Sequence, residues 1–140
     1  DFASFHPGGT LGKRLYLKLS DIMRVKNLPL VSQDASLREA INAISEGKLG
    51  TALLVDDTGA LKAVLSDGDL RRAMQSADFS LDAKALKYAN TKPKTLDDDE
   101  ILAYDALKMI EQYKIQILII TKAKKVAGVV HIHDLTTLGL

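Results

Sequence analysis

The segments VLSDGDL at residues 64–70 and VVHIHDL at residues 129–135 are two copies of one pattern, 65 positions apart. Each copy has an apolar run, a polar residue, two spacers and an aspartate that precedes a leucine. Upstream, residues 39–55 match residues 105–121 in the same order, at an offset of 66 positions. A one-residue deletion in the intervening turn accounts for the difference. Two matched segments in one order predict an internal repeat.

Each repeat has the pattern expected of a β-α-β-β-α unit. Apolar residues spaced by three and four predict the first helix of each, and short apolar runs predict the strands. In the first repeat we expect strands near residues 29–31, 51–55 and 61–65, a helix from a capping box at Ser36 and Glu39 to Gly47, and a helix capped by Ser66 or Asp67.

The second repeat gives the same series with less clear boundaries. We expect strands near residues 93–95, 117–120 and 126–132, a helix opened by the acidic run at residues 97–100, a solvated turn at Lys122, Lys124 and Lys125, and a last helix from Asp134. Strands this short and apolar need cover, so the two repeats are expected to pack together.

The composition excludes several classes of protein. The chain has 140 residues, of which 46% are hydrophobic, which suits one globular domain or two small ones sharing a core. A net charge of +1 with 5% aromatic residues argues against nucleic acid binding. The absence of cysteine excludes disulfides and zinc–thiolate sites. No apolar run reaches the ~18 residues of a membrane span, so we expect no membrane association and a cytoplasmic location.

The two repeats resemble a tandem pair of CBS domains, also called a Bateman module, over residues 19–139. Such pairs are regulatory modules that bind nucleotides in clefts between their two halves. The resemblance implies an α/β (α+β) fold in which two β-α-β-β-α repeats pack as a pseudo-two-fold pair.

The flanking sequence narrows the resemblance. FHPGGTLGKRL at residues 5–15, with SDIM, LSDGDLRR and VVHIHDL, is similar to the carboxy-terminal part of the bacterial D-arabinose-5-phosphate isomerases. In that family a sugar isomerase (SIS) domain ends in such a segment, and a CBS pair follows. The resemblance implies that residues 1–16 are the tail of the SIS domain, residues 17–78 the first CBS domain and residues 79–140 the second.

His6 matches a histidine at the active site of that isomerase family. A base there moves a proton between neighbouring carbons as ribulose 5-phosphate and arabinose 5-phosphate interconvert. A histidine on a glycine-rich tether cannot by itself hold a sugar phosphate in a reactive geometry. We therefore expect His6 to be catalytic only in a full-length enzyme, and the chain by itself not to be an enzyme.

The start of the last helix of the first repeat carries the leading candidate site. Asp69, in a first helical turn, is well placed to accept hydrogen bonds from ribose hydroxyls. The hydroxyl of Ser66 and the free backbone N–H groups of a helix start are suited to binding a phosphate. Gly68 lets backbone approach a ligand, and Asp67 and Arg72 flank it; a guanidinium binds carboxylate or phosphate with two bonds. The alternative is that Ser66 and Asp67 only cap the helix and Asp69 only favours its dipole.

The second repeat departs from this pattern. His131 stands where the first repeat has Ser66, and Asp134 matches Asp69. His131 and His133 alternate by two, so on a strand both would point to one face. A second, modified nucleotide cleft is favoured over a metal site, because His-x-His with Asp134 lacks a third firm ligand; we expect no metal.

The resemblance implies a regulatory role with no required cofactor. The expected ligand is a nucleotide, either CMP-Kdo from lipopolysaccharide biosynthesis or an adenine nucleotide (AMP or ATP). The expected partners are the chain's own amino-terminal isomerase domain and a second CBS pair, as a homodimer within a homotetramer. The alternative is a structural module that holds the isomerase subunits together without sensing a ligand.

Overall fold

The computed structural model describes residues 15–140, so His6 lies outside the described residues. The elements are helix α1 (Leu19–Ile22), strand β1 (Leu30–Ser32), helix α2 (Leu37–Gly47), strands β2 (Thr51–Val55) and β3 (Leu61–Ser66), helix α3 (Asp67–Met74), a 3₁₀ helix (Ala85–Lys87), strand β4 (Thr95–Leu96), helix α4 (Ala103–Tyr113), strands β5 (Ile117–Lys122) and β6 (Lys125–His131), and helix α5 (Ile132–Thr136). The predicted α/β class and repeated order are confirmed. No helix in this part of the chain is long and apolar enough to cross a membrane.

Each repeat builds its own three-stranded sheet, in the orders β1-β2-β3 and β4-β5-β6. Strand β1 runs parallel to β2, with Leu30 opposite Leu53, and β3 returns antiparallel to β2. Strand β4 runs parallel to β5, with Thr95 opposite Ile119. A parallel pair needs a crossover connection, and helices α2 and α4 supply it.

The chain divides into two compact units that differ from a simple cut between the repeats. The amino-terminal unit contains residues 26–94 and 123–126. The carboxy-terminal unit contains the described chain up to Val25, together with residues 95–122 and 127–140. The segment before the first repeat therefore packs with the second repeat. The proposed domain boundaries at residues 17–78 and 79–140 stay a prediction.

Equivalent backbone bonds attach the segment that precedes each repeat. Arg24 exchanges two hydrogen bonds with Val129, at N–O distances of 2.8 and 3.0 Å. Asn90, 66 positions after Arg24, exchanges two with Val64, at 2.8 and 2.9 Å. The repeat thus extends to the segment before each first strand, and these bonds satisfy backbone groups that a sheet edge would otherwise expose.

Each unit has its own apolar core, and the predicted helix faces supply it. In α2 the buried residues are Leu37, Ala40 and Ile44, and in α4 they are Ala103, Ala106, Leu107 and Ile110. They pack on the sheets through the fully buried side chains of Leu54, Leu65, Leu118, Ile120 and Val130. Burying one such Leu or Ile side chain stabilises the fold by about 1.5–3 kcal/mol.

Helix α2 begins after Ser36 and ends at Gly47, as predicted. The hydroxyl of Ser36 accepts a hydrogen bond from the backbone N–H of Glu39 at 3.1 Å. Gly47 is the last helical residue, and Lys48 takes the left-handed conformation with φ 57°. A Cβ on Gly47 would lie 2.8 Å from Cβ of Pro29. Gly47 therefore also allows a close approach of two segments, whereas Lys48 takes the left-handed conformation that often follows a helix.

The acidic run at residues 97–100 does not open a helix, so that prediction is wrong. Helix α4 begins at Ala103 and has no side-chain cap. Asp97 instead accepts a hydrogen bond from the hydroxyl of Thr121 at 3.1 Å. The mostly buried Asp99 pairs with the ammonium of Lys122 at 2.9 Å. A shielded carboxylate needs a cation, and Lys122 supplies it while its own side chain stays 64% exposed, in the solvated turn that the sequence predicts.

Replacing Gly128 should destabilise the carboxy-terminal unit, because a Cβ there would lie 2.9 Å from both the carbonyl oxygen of Arg24 and Sδ of Met23. We expect Gly128→Ala to lower the free energy of unfolding by roughly 1–3 kcal/mol in urea titrations. Gly68→Ala is the matched control, since its nearest contact is 3.6 Å, and it should change stability by less than about 1 kcal/mol. Equal effects of the two variants would contradict the close approach at Gly128.

Candidate functional site

The strand-to-helix junction at the start of α3 holds the residues predicted for the first site. Ser66 ends β3 and caps α3, and its hydroxyl accepts a hydrogen bond from the N–H of Asp69 at 3.1 Å. The Asp69 carboxylate accepts in return from the N–H of Ser66 at 2.9 Å. The cap weighed as the structural alternative is therefore present. This cap uses Oδ2 of Asp69 and leaves Oδ1 for another partner.

Oδ1, the second carboxylate oxygen of Asp69, is bound by a solvent-exposed side chain. Oδ1 accepts from Nη2 of Arg72, three residues along the same helix. The Arg72 side chain is 72% exposed, whereas that of Asp69 is 14% exposed. Exposed ion pairs of this kind contribute only about 0–1 kcal/mol, so a ligand can displace the guanidinium from the carboxylate at little cost.

Gly50 is a part of this junction that the sequence analysis missed. Its backbone φ is +70°, and a Cβ there would lie 3.2 Å from Oδ2 of Asp67. The N–H of Asp67 donates to the carbonyl of Gly50 at 3.0 Å. Gly68 is half-buried, and a Cβ there would lie 3.6 Å from Oγ of Ser66 and 3.7 Å from Nη1 of Arg72. The structure thus brings Ser66, Asp67, Gly68, Asp69 and Arg72 together around one helix start.

The second repeat has the same junction with different side chains. His131 ends β6 and caps α5, and Asp134 Oδ2 accepts from the His131 N–H at 3.0 Å. The N–H of Ile132 donates to the carbonyl of Gln116 at 2.8 Å, as Asp67 does to the glycine in the first repeat. The backbone geometry of the repeat is therefore kept where the sequence departs from the pattern.

The two histidines lie together for a reason other than strand alternation. His133 is in helix α5, which begins at Ile132 rather than at the predicted Asp134, so the two histidines do not share a strand. Its N–H donates to Nδ1 of His131 at 3.1 Å, and the two rings stack with centroids 4.8 Å apart. Within residues 15–140, no three His, Cys, Asp or Glu side chains form a group suited to a metal ion.

Burial lowers the pKa of His131, and the neighbouring His133 lowers it further. A neutral imidazole near pH 7 agrees with the hydrogen bond that Nδ1 accepts, because a protonated ring has no acceptor nitrogen. His131 therefore caps the helix as a neutral group, in the place where the first repeat uses a hydroxyl.

Arg24 is the residue that the sequence analysis missed in the second repeat. Its Nη2 donates to Oδ1 of Asp134 at 2.7 Å, and its Nε donates to Oδ2 at 3.0 Å. Burial works to raise the pKa of Asp134, but the hydrogen bonds from Arg24 and from the backbone of His131 outweigh it, and the pKa is lowered. The two residues are 110 positions apart, and only the alignment of Arg24 with Asn90 points to this place.

A family model described as the CBS domain matches residues 19–76 and again residues 84–139. The chain belongs to the CBS domain family and contains a tandem pair of these domains.

Relatives with curated names are isomerases. Over its whole length, this chain is 40% identical to "Arabinose 5-phosphate isomerase KdsD" of Yersinia pestis, and it covers 43% of the length of that protein. It is 37% identical to "Arabinose 5-phosphate isomerase KpsF" of Escherichia coli, over 96% of the chain and 41% of that protein. An uncharacterised protein of Helicobacter pylori is 45% identical over the whole chain and 43% of its own length. The chain spans less than half the length of these relatives.

Solved structures share the fold. CBSX2 in complex with AMP superposes with a TM-score of 0.76 at 20% identity, covering 88% of this chain and 96% of that one. A CBS domain protein from Pyrobaculum aerophilum complexed with AMP has a TM-score of 0.69 at 22% identity, covering 84% and 89%. The CBS-pair architecture expected from the repeats is confirmed.

Replacing His131 should remove a pH dependence of stability near neutrality. An unfolded histidine titrates near pH 6.5, and the folded pKa of His131 lies lower, so stability is fully present above about pH 7 and falls as the unfolded chain takes up a proton. In urea titrations between pH 5 and 8, His131→Ser should show a smaller loss below about pH 6.5 than the unmodified chain. Thr136→Ser, which changes the same helix but no titrating group, is the control and should keep the loss. An unchanged slope in His131→Ser would contradict a lowered pKa.

Proposed function

We propose that this chain is the regulatory nucleotide-binding CBS pair of an arabinose-5-phosphate isomerase. The relatives with an isomerase name support the enzyme class, and the AMP complexes of the solved CBS structures support the ligand class. The observation that carries the proposal is the junction at Ser66 and Asp69, where one oxygen of a shielded carboxylate is held only by the exposed side chain of Arg72.

The proposed binding mode assigns each group of the first site a part of the nucleotide. Asp69 accepts ribose hydroxyls through Oδ1, which Arg72 releases. Arg72 then turns to the phosphate, or to the carboxylate of an anionic sugar nucleotide such as CMP-Kdo. The hydroxyl of Ser66 and the N–H of Gly68 are assigned to the phosphate, because the N–H groups of Asp67 and Asp69 already donate to the carbonyl of Gly50 and to the hydroxyl of Ser66.

The proposed regulation links this site to the chemistry of a longer protein. Occupancy of the CBS pair would be passed to the isomerase domain, where His6 is proposed to act in the interconversion of ribulose 5-phosphate and arabinose 5-phosphate. The reaction supplies Kdo for lipopolysaccharide in the cytoplasm, so CMP-Kdo is the end product that a regulatory site would sense. AMP and ATP are the alternative ligands, and no cofactor is required.

Asp69→Asn tests the site with little disturbance of the fold, because the amide oxygen can still accept from the N–H of Ser66. Losing the charged acceptor for ribose should weaken nucleotide binding by at least about tenfold. Isothermal calorimetry with AMP, ATP, CMP and CMP-Kdo, each titrated separately, measures the change. Asp57→Asn is the matched control, since Asp57 is an exposed aspartate of the β2–β3 turn.

The unmodified chain should bind at least one of the four nucleotides, and Asp57→Asn should bind it equally well. Binding of none of them would refute the sensing function. Equal affinity in Asp69→Asn would place the ligand elsewhere.

A structural module is the second candidate function, and the exposed apolar side chains favour it. Met74 is 61% exposed, Val25 54% and Tyr113 41%, and association with a second CBS pair would cover such surface. In this alternative the chain holds the enzyme together as a homodimer of CBS pairs within a homotetramer.

Sedimentation velocity of the chain, with and without the bound nucleotide, separates the two functions. A sensor should bind the nucleotide and change its sedimentation or its exchange of backbone amides. A scaffold should assemble to the same extent in both conditions and bind none of the four nucleotides. Met74→Glu should then lower the assembled fraction, whereas Arg38→Glu, on the exposed face of α2, should not.

A further inference from the structure

We infer that the chain binds one nucleotide, at the first repeat, because Arg24 occupies the carboxylate of Asp134 that the second repeat would offer to a ribose. This inference rests on the proposed function and replaces the second ligand site predicted at His131, His133 and Asp134. Arg24 is thus a specificity-determining residue that lies outside both copies of the repeated motif.

The Asp134 carboxylate is engaged at both oxygens. Oδ2 accepts from Nε of Arg24 and from the N–H of His131, each at 3.0 Å, and Oδ1 accepts from Nη2 of Arg24 at 2.7 Å. A guanidinium with two parallel bonds covers the outer edge of a carboxylate. A ribose diol would bind the carboxylate of Asp134 along the same edge. The ribose and the guanidinium of Arg24 therefore exclude each other.

Asp69, unlike Asp134, has a weaker competitor for a ribose. Its Oδ2 accepts only from the N–H of Ser66, and its Oδ1 meets a single nitrogen of Arg72. Arg72 lies on the same helix, with most of its side chain in solvent. In the second repeat the position of Arg72 is held by Thr137, whose hydroxyl donates to the carbonyl of Asp134 at 3.2 Å.

The backbone of Arg24 is fixed against strand β6, and its side chain is 45% exposed, compared with 72% for Arg72. Two hydrogen bonds join its main chain to Val129. Gly128 allows the approach, since any Cβ there would meet the Arg24 carbonyl oxygen at 2.9 Å. Asn90, the equivalent of Arg24 in the other unit, has the same backbone bonds but carries no charge to place on Asp69.

The side chains at the cap add to the difference. Where the first repeat has the hydroxyl of Ser66 and the bare backbone of Gly68, the second has the stacked rings of His131 and His133. The Nδ1 atom of His131 is already used by the N–H of His133. Oγ of Ser66 accepts from the N–H of Asp69 in the same way, so the second junction differs by the two rings that occupy it and by the hydroxyl that it lacks.

The stoichiometry of binding tests the inference. Calorimetry or equilibrium dialysis with AMP and with CMP-Kdo should give one nucleotide per 140-residue chain, and Asp69→Asn should weaken that one binding event by at least about tenfold. Two nucleotides per chain, or one that survives Asp69→Asn, would overturn the inference and leave the proposed sensing function standing. Binding of neither compound, nor of ATP or CMP, would overturn both.

A gain of a second site tests the role of Arg24 directly. The double variant Arg24→Ala with His131→Ser frees the carboxylate and restores the hydroxyl of the first repeat, and it should raise the stoichiometry from one to two. Arg38→Ala is the control, because it removes an arginine that pairs with exposed Asp82 at 3.8 Å, and it should still bind one. A double variant with native circular dichroism that still binds one would refute the role of Arg24. If it unfolds, Arg24→Gln takes its place under the same criterion.

Discussion

A capping box, in which two residues exchange hydrogen bonds, forms the strand-to-helix junction of both repeats, and the candidate site in each depends on it. In each, the aspartate at the third helical position accepts from the N–H of the residue that ends the strand, and that residue's side chain accepts from the first helical turn. The bonds satisfy donors that a helix start leaves open, and they set the angle at which the chain leaves the sheet. Because Ser66 and His131 both fill the role, the fold tolerates a change that the chemistry of a site does not.

A second constraint on the two junctions is the packing of the chain segment that precedes each repeat. The chain before the first repeat packs in the carboxy-terminal unit, and the segment around Asn90 packs in the amino-terminal unit. The backbone bonds at Val64 and Val129 are equivalent, but the side chains they deliver are an amide in one case and a guanidinium in the other. Two junctions of the same backbone thereby acquire different charges, which is the physical basis of their proposed difference in ligand binding.

Much of the fold could be predicted from local pattern. The helix faces and the short apolar strands follow from periodicity, and the box at Ser66 follows from residue type. The errors fell where a distant partner decides the local structure. Asp99 pairs with Lys122 from another element, so the acidic run does not cap a helix. Gly47 ends its helix as predicted, but its close contact with Pro29 depends on tertiary packing and has no local signal.

The sequence by itself determined the repeat, the order of its elements, the family and the acidic and polar residues at each junction. Those features depend on interactions between residues that are near in the chain. Only the tertiary structure decided which carboxylate remains available, because Arg24 reaches Asp134 across 110 positions through a backbone contact with Val129. Pairing over such a distance depends on how the segments pack, and the identity of neither residue specifies it.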